Sequence, residues 1–374
     1  MSALEGPTAT IRGRILLGDD REAEEIWVRG GRVSLTRPSA QGTNMQVLEG
    51  WAVPGLVDVH CHIGLAADGA VPVEEAEKQA VADRDAGVLL IRDAGSPLDT
   101  AWVHDRGDLP HLLRSGMHLA LPKRYLRNYG LELESPDLLP EAVRTQARRG
   151  DGWVKLVGDW IDRTLGADGD LRPLWPEDVL TEAVAVAHAE AARVTVHAFA
   201  TETIDGLLAA GVDCIEHGTG MTAEHMAVAA ERGIAVTPTL LQVGQFDSIA
   251  AQADGKYPVY AARMRAMYTN RYQQVRDLHE AGVRLLVGTD AGGTIAHGRI
   301  ADECAELVAA GIPAAEVVAM ASWRARDYLG FGAVVEGSSA DLVVYPADPR
   351  EDIEVLRHPT AVVLRGVVYP TARV

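Results

Sequence analysis

The sequence predicts an α/β protein: a (β/α)8 TIM barrel with a small composite β-sandwich domain built from both termini. Two observations predict it. Between about Gly55 and Phe331, eight short apolar runs alternate with amphipathic helical stretches, the rhythm of a barrel. Both chain ends are instead β-rich and carry no helical period. The barrel is expected over 55–332, and the sandwich over 1–54 together with 333–374.

The elements follow in order. Near the N-terminus, Ile11–Leu17, Glu25–Arg29, Arg32–Leu35 and Gln46–Glu49 read as short strands broken by Gly30-Gly31 and Pro38. The expected barrel strands are Leu56–His62, Val88–Asp93, Met117–Leu121, Trp153–Val157, Val194–His197, Cys214–His217, Ile234–Thr237 and Leu285–Asp290. Helical patterns lie between most of them, as at Glu177–Ala192, Thr222–Arg232 and Arg263–Ala281. Ala86-Gly87-Val88, Ala210-Gly211-Val212 and Ala281-Gly282-Val283 each read as a glycine helix stop followed by a strand. Ala340–Tyr345 and Thr360–Val368, with a turn at Arg365-Gly366, close the chain. A doubly wound open sheet is the alternative, but no GxGxxG or P-loop spacing favours it.

Composition excludes several classes. The 374 residues hold 35 Lys+Arg against 53 Asp+Glu, a net charge of −18. That balance argues against a nucleic-acid partner and against docking on an anionic membrane. Three cysteines, Cys61, Cys214 and Cys304, offer no disulfide framework and fit a reducing cytoplasm. Met1 to Thr10 lacks the features of a signal peptide, and no apolar run approaches the ~20 residues of a membrane span.

The chemistry lies at strand ends, where barrels place catalytic groups. The first strand ends His60-Cys61-His62; histidines at i and i+2 face one side and can grip one metal, while Cys61 points away. Lys155 sits in the apolar fourth strand, either pairing with a buried carboxylate or reacting with CO2 to give an anionic carbamate. His197 ends the fifth strand and His217 the sixth; each alone is more often a hydrogen-bonded core histidine than a ligand, but together they supply two imidazoles facing one axis. Asp290 ends the eighth strand before small residues, as a ligand or as a helix N-cap. The remaining histidines (His104, His111, His118, His188, His225, His279, His297 and His358) lie off this pattern and are expected mostly on the surface or on helices.

These motifs resemble the amidohydrolase superfamily of metal-dependent hydrolases, over almost the whole chain. The resemblance rests on Val53-Pro54-Gly55-Leu56-Val57-Asp58-Val59-His60-Cys61-His62 and on Gly337-Ser338-Ser339-Ala340-Asp341-Leu342-Val343-Val344. Ile91-Arg92-Asp93-Ala94-Gly95 and Gly288 to Gly292 look like the imidazolonepropionase-related branch, which contains many dipeptidases. The resemblance implies two zinc ions. His60 and His62 would hold the more buried one with Asp290, His197 and His217 the more exposed one, and carboxylated Lys155 would bridge them. A hydroxide between the ions would attack the substrate, with Asp290 as general base and then acid. Superfamily deaminases usually lack such a lysine, so Lys155 favours two metals over one.

The expected function is hydrolysis of an amide bond in a small molecule, a dipeptide or an N-acyl amino acid. The alternative is a deaminase, cyclic amidase or lactonase using the same site. A non-catalytic scaffold is disfavoured because all six ligand candidates are present. For substrate, Arg124 and Tyr125 in the cationic, aromatic loop Pro122 to Tyr129 could clamp a carboxylate, unless that loop is simply solvated. Arg92 is a second clamp candidate, its alternative being an ion pair with Asp93 or another barrel carboxylate. Trp160 is expected to wall the pocket and His297 to sit over it. Relatives are often dimers or larger, and a homo-oligomer is compatible with barrel helices.

Overall fold

The computed structural model describes residues 8–38 and 45–371. Strands from both chain ends share one sheet. Its order is Val367–Pro370, Ala361–Leu364, Leu342–Tyr345, Gln46–Pro54, Ala9–Gly18, Arg21–Arg29 and Arg32–Ser34. Gln46–Pro54 stitches the two ends together, parallel to Ala9–Gly18 and antiparallel to Leu342–Tyr345. Alternation then splits the side chains. Leu342 and Val344 join Ile15 and Ala52 in one apolar cluster, while Val343 and Tyr345 face the main core.

The expected sandwich is corrected here: these strands form one seven-stranded sheet, not two stacked sheets. Gly13 and Gly50 oppose each other at positive φ, and the register of Ala9–Gly18 slips on either side of Ile15 and Leu16. Such irregularities bend a strand, so a single sheet can enclose its own apolar face.

The middle of the chain is parallel β with helices between. Leu56–Cys61, Val88–Asp93 and His111–Arg114 form one parallel sheet. Gly130–Glu132, His118–Ala120, Trp153–Val157, Arg193–Ala198, Cys214–His217 and Ala235–Thr237 form another. The expected third strand, Met117–Leu121, forms as His118–Ala120 in the second sheet, and a further strand just before it, His111–Arg114, joins the first. His111–Arg114 pairs with Val88–Asp93, whereas His118–Ala120 pairs with Trp153–Val157. The kink is at Gly116, with φ of 72°, where a Cβ would lie 2.4 Å from Gln146 Oε1.

The eighth expected strand is not a regular strand. Residues 284–291 make isolated bridges instead, at Leu285 to Val236 and at Ala291 to Cys61. Their hydrogen bonds reach Val236 on one side and Val59, His60 and His62 on the other. Regularity fails because Gly288 is pressed on His60 and Asp290 turns to a φ of 58°. The helices Glu177–Ala189, Ala223–Arg232 and Pro258–Glu280 fall close to their expected spans. Gly211 and Gly233 end their helices in the left-handed conformation. Among the described residues, no helix is long and apolar enough to cross a membrane.

Candidate metal centre and active site

Strand alternation delivers the first ligand pair. His60 and His62 face the interior, while Cys61 is buried on the other side, its Sγ within 4.8 Å of Asp83 and His297 ligand atoms. Each histidine spends one nitrogen on a fixed acceptor. His60 Nδ1 lies 2.8 Å from Glu216 Oε2, and His62 Nδ1 lies 2.7 Å from the Gly95 carbonyl. Both partners accept only, so both Nδ1 atoms carry the proton and both Nε2 atoms present lone pairs.

Those lone pairs converge on Asp290. Its Oδ1 is 3.2 Å from His60 Nε2 and 3.0 Å from His62 Nε2. The second pair comes from adjacent parallel strands, with Ala198 in register with His217. His217 Nδ1 donates to Thr239 Oγ1 at 2.6 Å, and that hydroxyl donates onward to the Pro238 carbonyl. His217 Nε2 is therefore also a lone pair, 3.0 Å from His197 Nδ1. His197 Nε2 is buried without a partner, and so is Lys155 Nζ.

Lone pairs crowded around a carboxylate repel unless a cation stands among them. The ligand atoms of His60, His217 and Asp290 all lie within 4.8 Å of one another. Imidazoles and a carboxylate suit a borderline divalent ion such as zinc. The residues thus fit a metal. Burial and Lys155 push His60 down, but Glu216 and Asp290 raise its pKa overall. Burial pushes Asp290 up, yet His60 and His62 hold its carboxyl well below the usual range. Burial, helped by His60 and Lys155 against Asp290 and Glu216, takes His217 down to about 3. It also lowers Lys155, against Glu216 and Asp290.

Three of these strand-end positions are strained. His217, Thr239 and Asp290 have φ of 69°, 46° and 58°, in the left-handed region that non-glycine residues avoid. At His217 the turn breaks strand alternation, so that Glu216 and His217 both reach the interior.

A cavity of about 470 Å³ opens onto the cluster, with His62, His197 and Asp290 at its floor. Of the residues expected to meet substrate, Tyr125 and Trp160 line it, their rings 4.9 Å apart. Arg92, Arg124 and His297 do not, and those expectations are corrected. Arg92 is fully buried, donates to the Val59 carbonyl and pairs with Glu216, so the barrel-carboxylate alternative holds. Arg124 donates to the carbonyls of Trp160 and Arg172, pinning the hairpin of Asp159–Ile161 and Leu171–Pro173. His297 does not sit over the pocket. Its Nδ1 donates to Asp83 Oδ2 at 2.8 Å, and Gly298 N donates to Asp83 Oδ1. A larger cavity of about 600 Å³ beside Trp323 touches none of the ligand candidates.

Two site residues escape the sequence pattern. His118, expected on the surface or a helix, is fully buried with its ring 5.0 Å from His62 and 5.2 Å from Tyr125. Neither of its ring nitrogens has a partner. No motif marks it. Glu216 is the second, and there a signal existed: a glutamate inside an otherwise apolar strand.

A family model described as the amidohydrolase family matches residues 51–368. This chain belongs to the amidohydrolase family. It is an enzyme of that family, a hydrolase acting on carbon–nitrogen bonds. A Mycobacterium tuberculosis protein described only as uncharacterized is 51% identical to this amidohydrolase over 347 residues, 93% of this chain and 92% of that one. Ochratoxinase of Aspergillus niger is 27% identical over 233 residues, 59% of this chain and 46% of that enzyme. The ochratoxinase crystal structure matches with a TM-score of 0.79 at 19% identity, over 98% of this chain and 96% of that one. A Xaa-Pro dipeptidase with methionine bound in its active site matches with a TM-score of 0.81 at 22% identity, over 97% of this chain and 99% of that one. These matches establish the shared α/β fold.

Proposed function

We propose that this amidohydrolase cleaves the amide bond of a small molecule, a dipeptide or an N-acyl amino acid, with divalent metal ions, zinc in the first instance. One observation carries the reading: the ligand atoms of His60, His217 and Asp290 lie within 4.8 Å of one another, His62 Nε2 lies 3.0 Å from Asp290 Oδ1, and Asp290 opens onto the aromatic cavity. His60 and His62 would hold one ion with Asp290, and His197 and His217 a second. Lys155, as a carbamate, would span both; its partnerless buried Nζ supports that role. Bound there, the ions supply Lewis acidity toward the scissile carbonyl and toward an attacking water.

The chain's own residues do the rest. Asp290 is the one ligand carboxylate that reaches the cavity, with 17% of its side chain exposed. It takes the proton of the attacking water and delivers it to the leaving nitrogen. Glu216 and the Gly95 carbonyl hold the two Nε2 atoms in position by fixing the tautomers. Tyr125 and Trp160 flank the carbonyl and limit water. In the same reading, residues 55–332 close as a (β/α)8 barrel, supported by the bonds of residues 284–291 to both neighbouring strands. Residues 1–54 with 333–374 form the second domain, in a cytoplasmic enzyme whose barrel helices could support a homo-oligomer.

The test is a screen of the zinc-loaded protein, produced with bicarbonate, against dipeptides, N-acyl amino acids, cyclic amides and lactones. Amide hydrolysis is expected. Asp290→Asn should keep the fold and lose turnover by about 10²–10⁴-fold, the usual worth of a proton-transfer group. Activity confined to lactones or deamination, or an Asp290→Asn enzyme near wild-type, overturns the proposal.

A further inference from the structure

The first barrel strand has a second chemical face. His60 and His62 look inward, and Cys61 between them looks outward, toward the helix Val73–Asp85. That helix buries Ala76, Ala80 and Asp83, a stripe at helical spacing that ends in a carboxylate where an apolar residue belongs. The segment after Asp290 brings a third group. Gly298, with φ of 83°, lies close on the helix, where a Cβ would come 3.2 Å from the Ala82 carbonyl oxygen. Its neighbour His297 is thereby held beside Asp83.

The Cys61 sulfur, an Asp83 carboxylate oxygen and a His297 ring nitrogen lie within 4.8 Å of one another. Hydrogen bonds within the group do not satisfy it. Asp83 accepts from His297 Nδ1 and from Gly298 N, while His297 Nε2 is buried with no partner. The His297 side chain is only 5% exposed. Asp93 adds a fourth donor. It is in register with Cys61 on the neighbouring parallel strand, so the two side chains stand on the same side of the sheet. Asp93 Oδ1 accepts from Gly95 N, but Oδ2 is buried with no partner. Orphaned polar atoms beside buried carboxylates are unfavourable in protein alone and are relieved by a cation. Burial pushes His297 down, yet Asp83 raises its pKa overall, so the pocket already draws positive charge. Thiolate, imidazole and carboxylate together suit a borderline ion such as zinc, whereas magnesium and calcium take oxygen ligands.

We propose that Cys61, Asp83 and His297, with Asp93 as the fourth donor, hold one structural ion of the zinc class on the outer side of the first strand. The strand backbone separates it from the catalytic ligands on the inner side. On binding, the Cys61 thiol proton and any second proton on His297 pass to solvent. The ion ties four segments to one point: Leu56–Cys61, Val88–Asp93, Val73–Asp85 and residues 290–298. Asp290 begins the last of these, so the ion braces the loop that carries the proton-transfer group. The site stands apart from the amide-hydrolase reading and needs no assumption about substrate.

The experiment uses the full chain, stripped with a chelator and reloaded with cobalt(II). The inner ligands are imidazoles, a carboxylate and a lysine, with no thiolate among them. A near-ultraviolet thiolate-to-cobalt charge-transfer band therefore reports the outer site alone. Wild-type protein is expected to show that band. Cys61→Ser and His297→Gln should each lose it and bind one ion fewer per chain by elemental analysis. If Cys61→Ser fails to fold, as judged by circular dichroism, His297→Gln carries the test with the same two readouts, since His297 lies outside every strand and helix. Absence of the band in fully loaded wild-type protein overturns the proposal. So does a band that survives either substitution in folded protein, or an ion count that neither variant changes. A band removed by Cys214→Ser or Cys304→Ser but not by Cys61→Ser overturns it as well.

Discussion

Glu216→Gln tests the framework beneath the metal ligands. Glu216 and Arg92 are both fully buried, and the carboxylate takes hydrogen bonds from Arg92, Thr195 and His60 Nδ1. Burial pushes Glu216 up, but Arg92 and then His60 hold its carboxyl well below the ordinary range, so it is the anion that is native. Glutamine keeps the shape and removes the charge. The Arg92 guanidinium then keeps its bond to the Val59 carbonyl and the Trp153 ring, 4.5 Å away at the centroid, but has lost its counter-charge in the core. Breaking a buried pair by neutralising one partner costs about 3–5 kcal/mol. With an unfolding entropy of about 2.1 cal/mol/K per residue over 374 residues, that lowers Tm by roughly 4–6 °C. The His60 ring also loses its orienting acceptor, which should weaken metal binding about 10–100-fold. Scanning calorimetry and a metal titration read the two effects. Adding Arg92→Met should recover part of the stability but none of the metal affinity. A Tm within a degree of wild-type together with unchanged metal affinity would refute the reasoning.

Three further outcomes are expected. Gly288→Ala would place a Cβ 2.6 Å from His60 Cβ and 2.9 Å from its backbone nitrogen, so stability should fall by about 1–3 kcal/mol and metal content with it; full metal occupancy by elemental analysis would contradict this. Lys155→Ala should lose metal and activity and regain both with a short carboxylic acid that replaces the carbamate, and absence of rescue argues against a bridging Lys155. Phe246→Ala, at a fully buried ring 4.8 Å from Phe199, should cost about 3–5 kcal/mol in denaturant unfolding, and a loss under 1 kcal/mol would show that this part of the cavity wall is not tightly packed.

The sequence by itself determined which residue types stand at strand ends. Alternation puts His60 and His62 on one side and Cys61 on the other, and the glycine stops mark where strands begin. Val88–Asp93, Trp153–Val157 and Cys214–His217 coincide with their expected spans. These are local properties, set by a period of two and by the chemistry of a turn. Tertiary structure decided the partners. Arg92 meets Glu216 across 124 positions, and His62 meets Asp290 across 228. No local pattern distinguishes a buried arginine that is paired from one free to bind substrate. That is why Arg92, Arg124 and His297 became internal clamps. His118 came to the ligand cluster because the chain turns at Gly116 and starts a new strand there, and the terminal strands made one sheet that bends where Gly13 opposes Gly50. In each case the deciding quantity is a contact between distant segments, and only the folded chain brings those segments together.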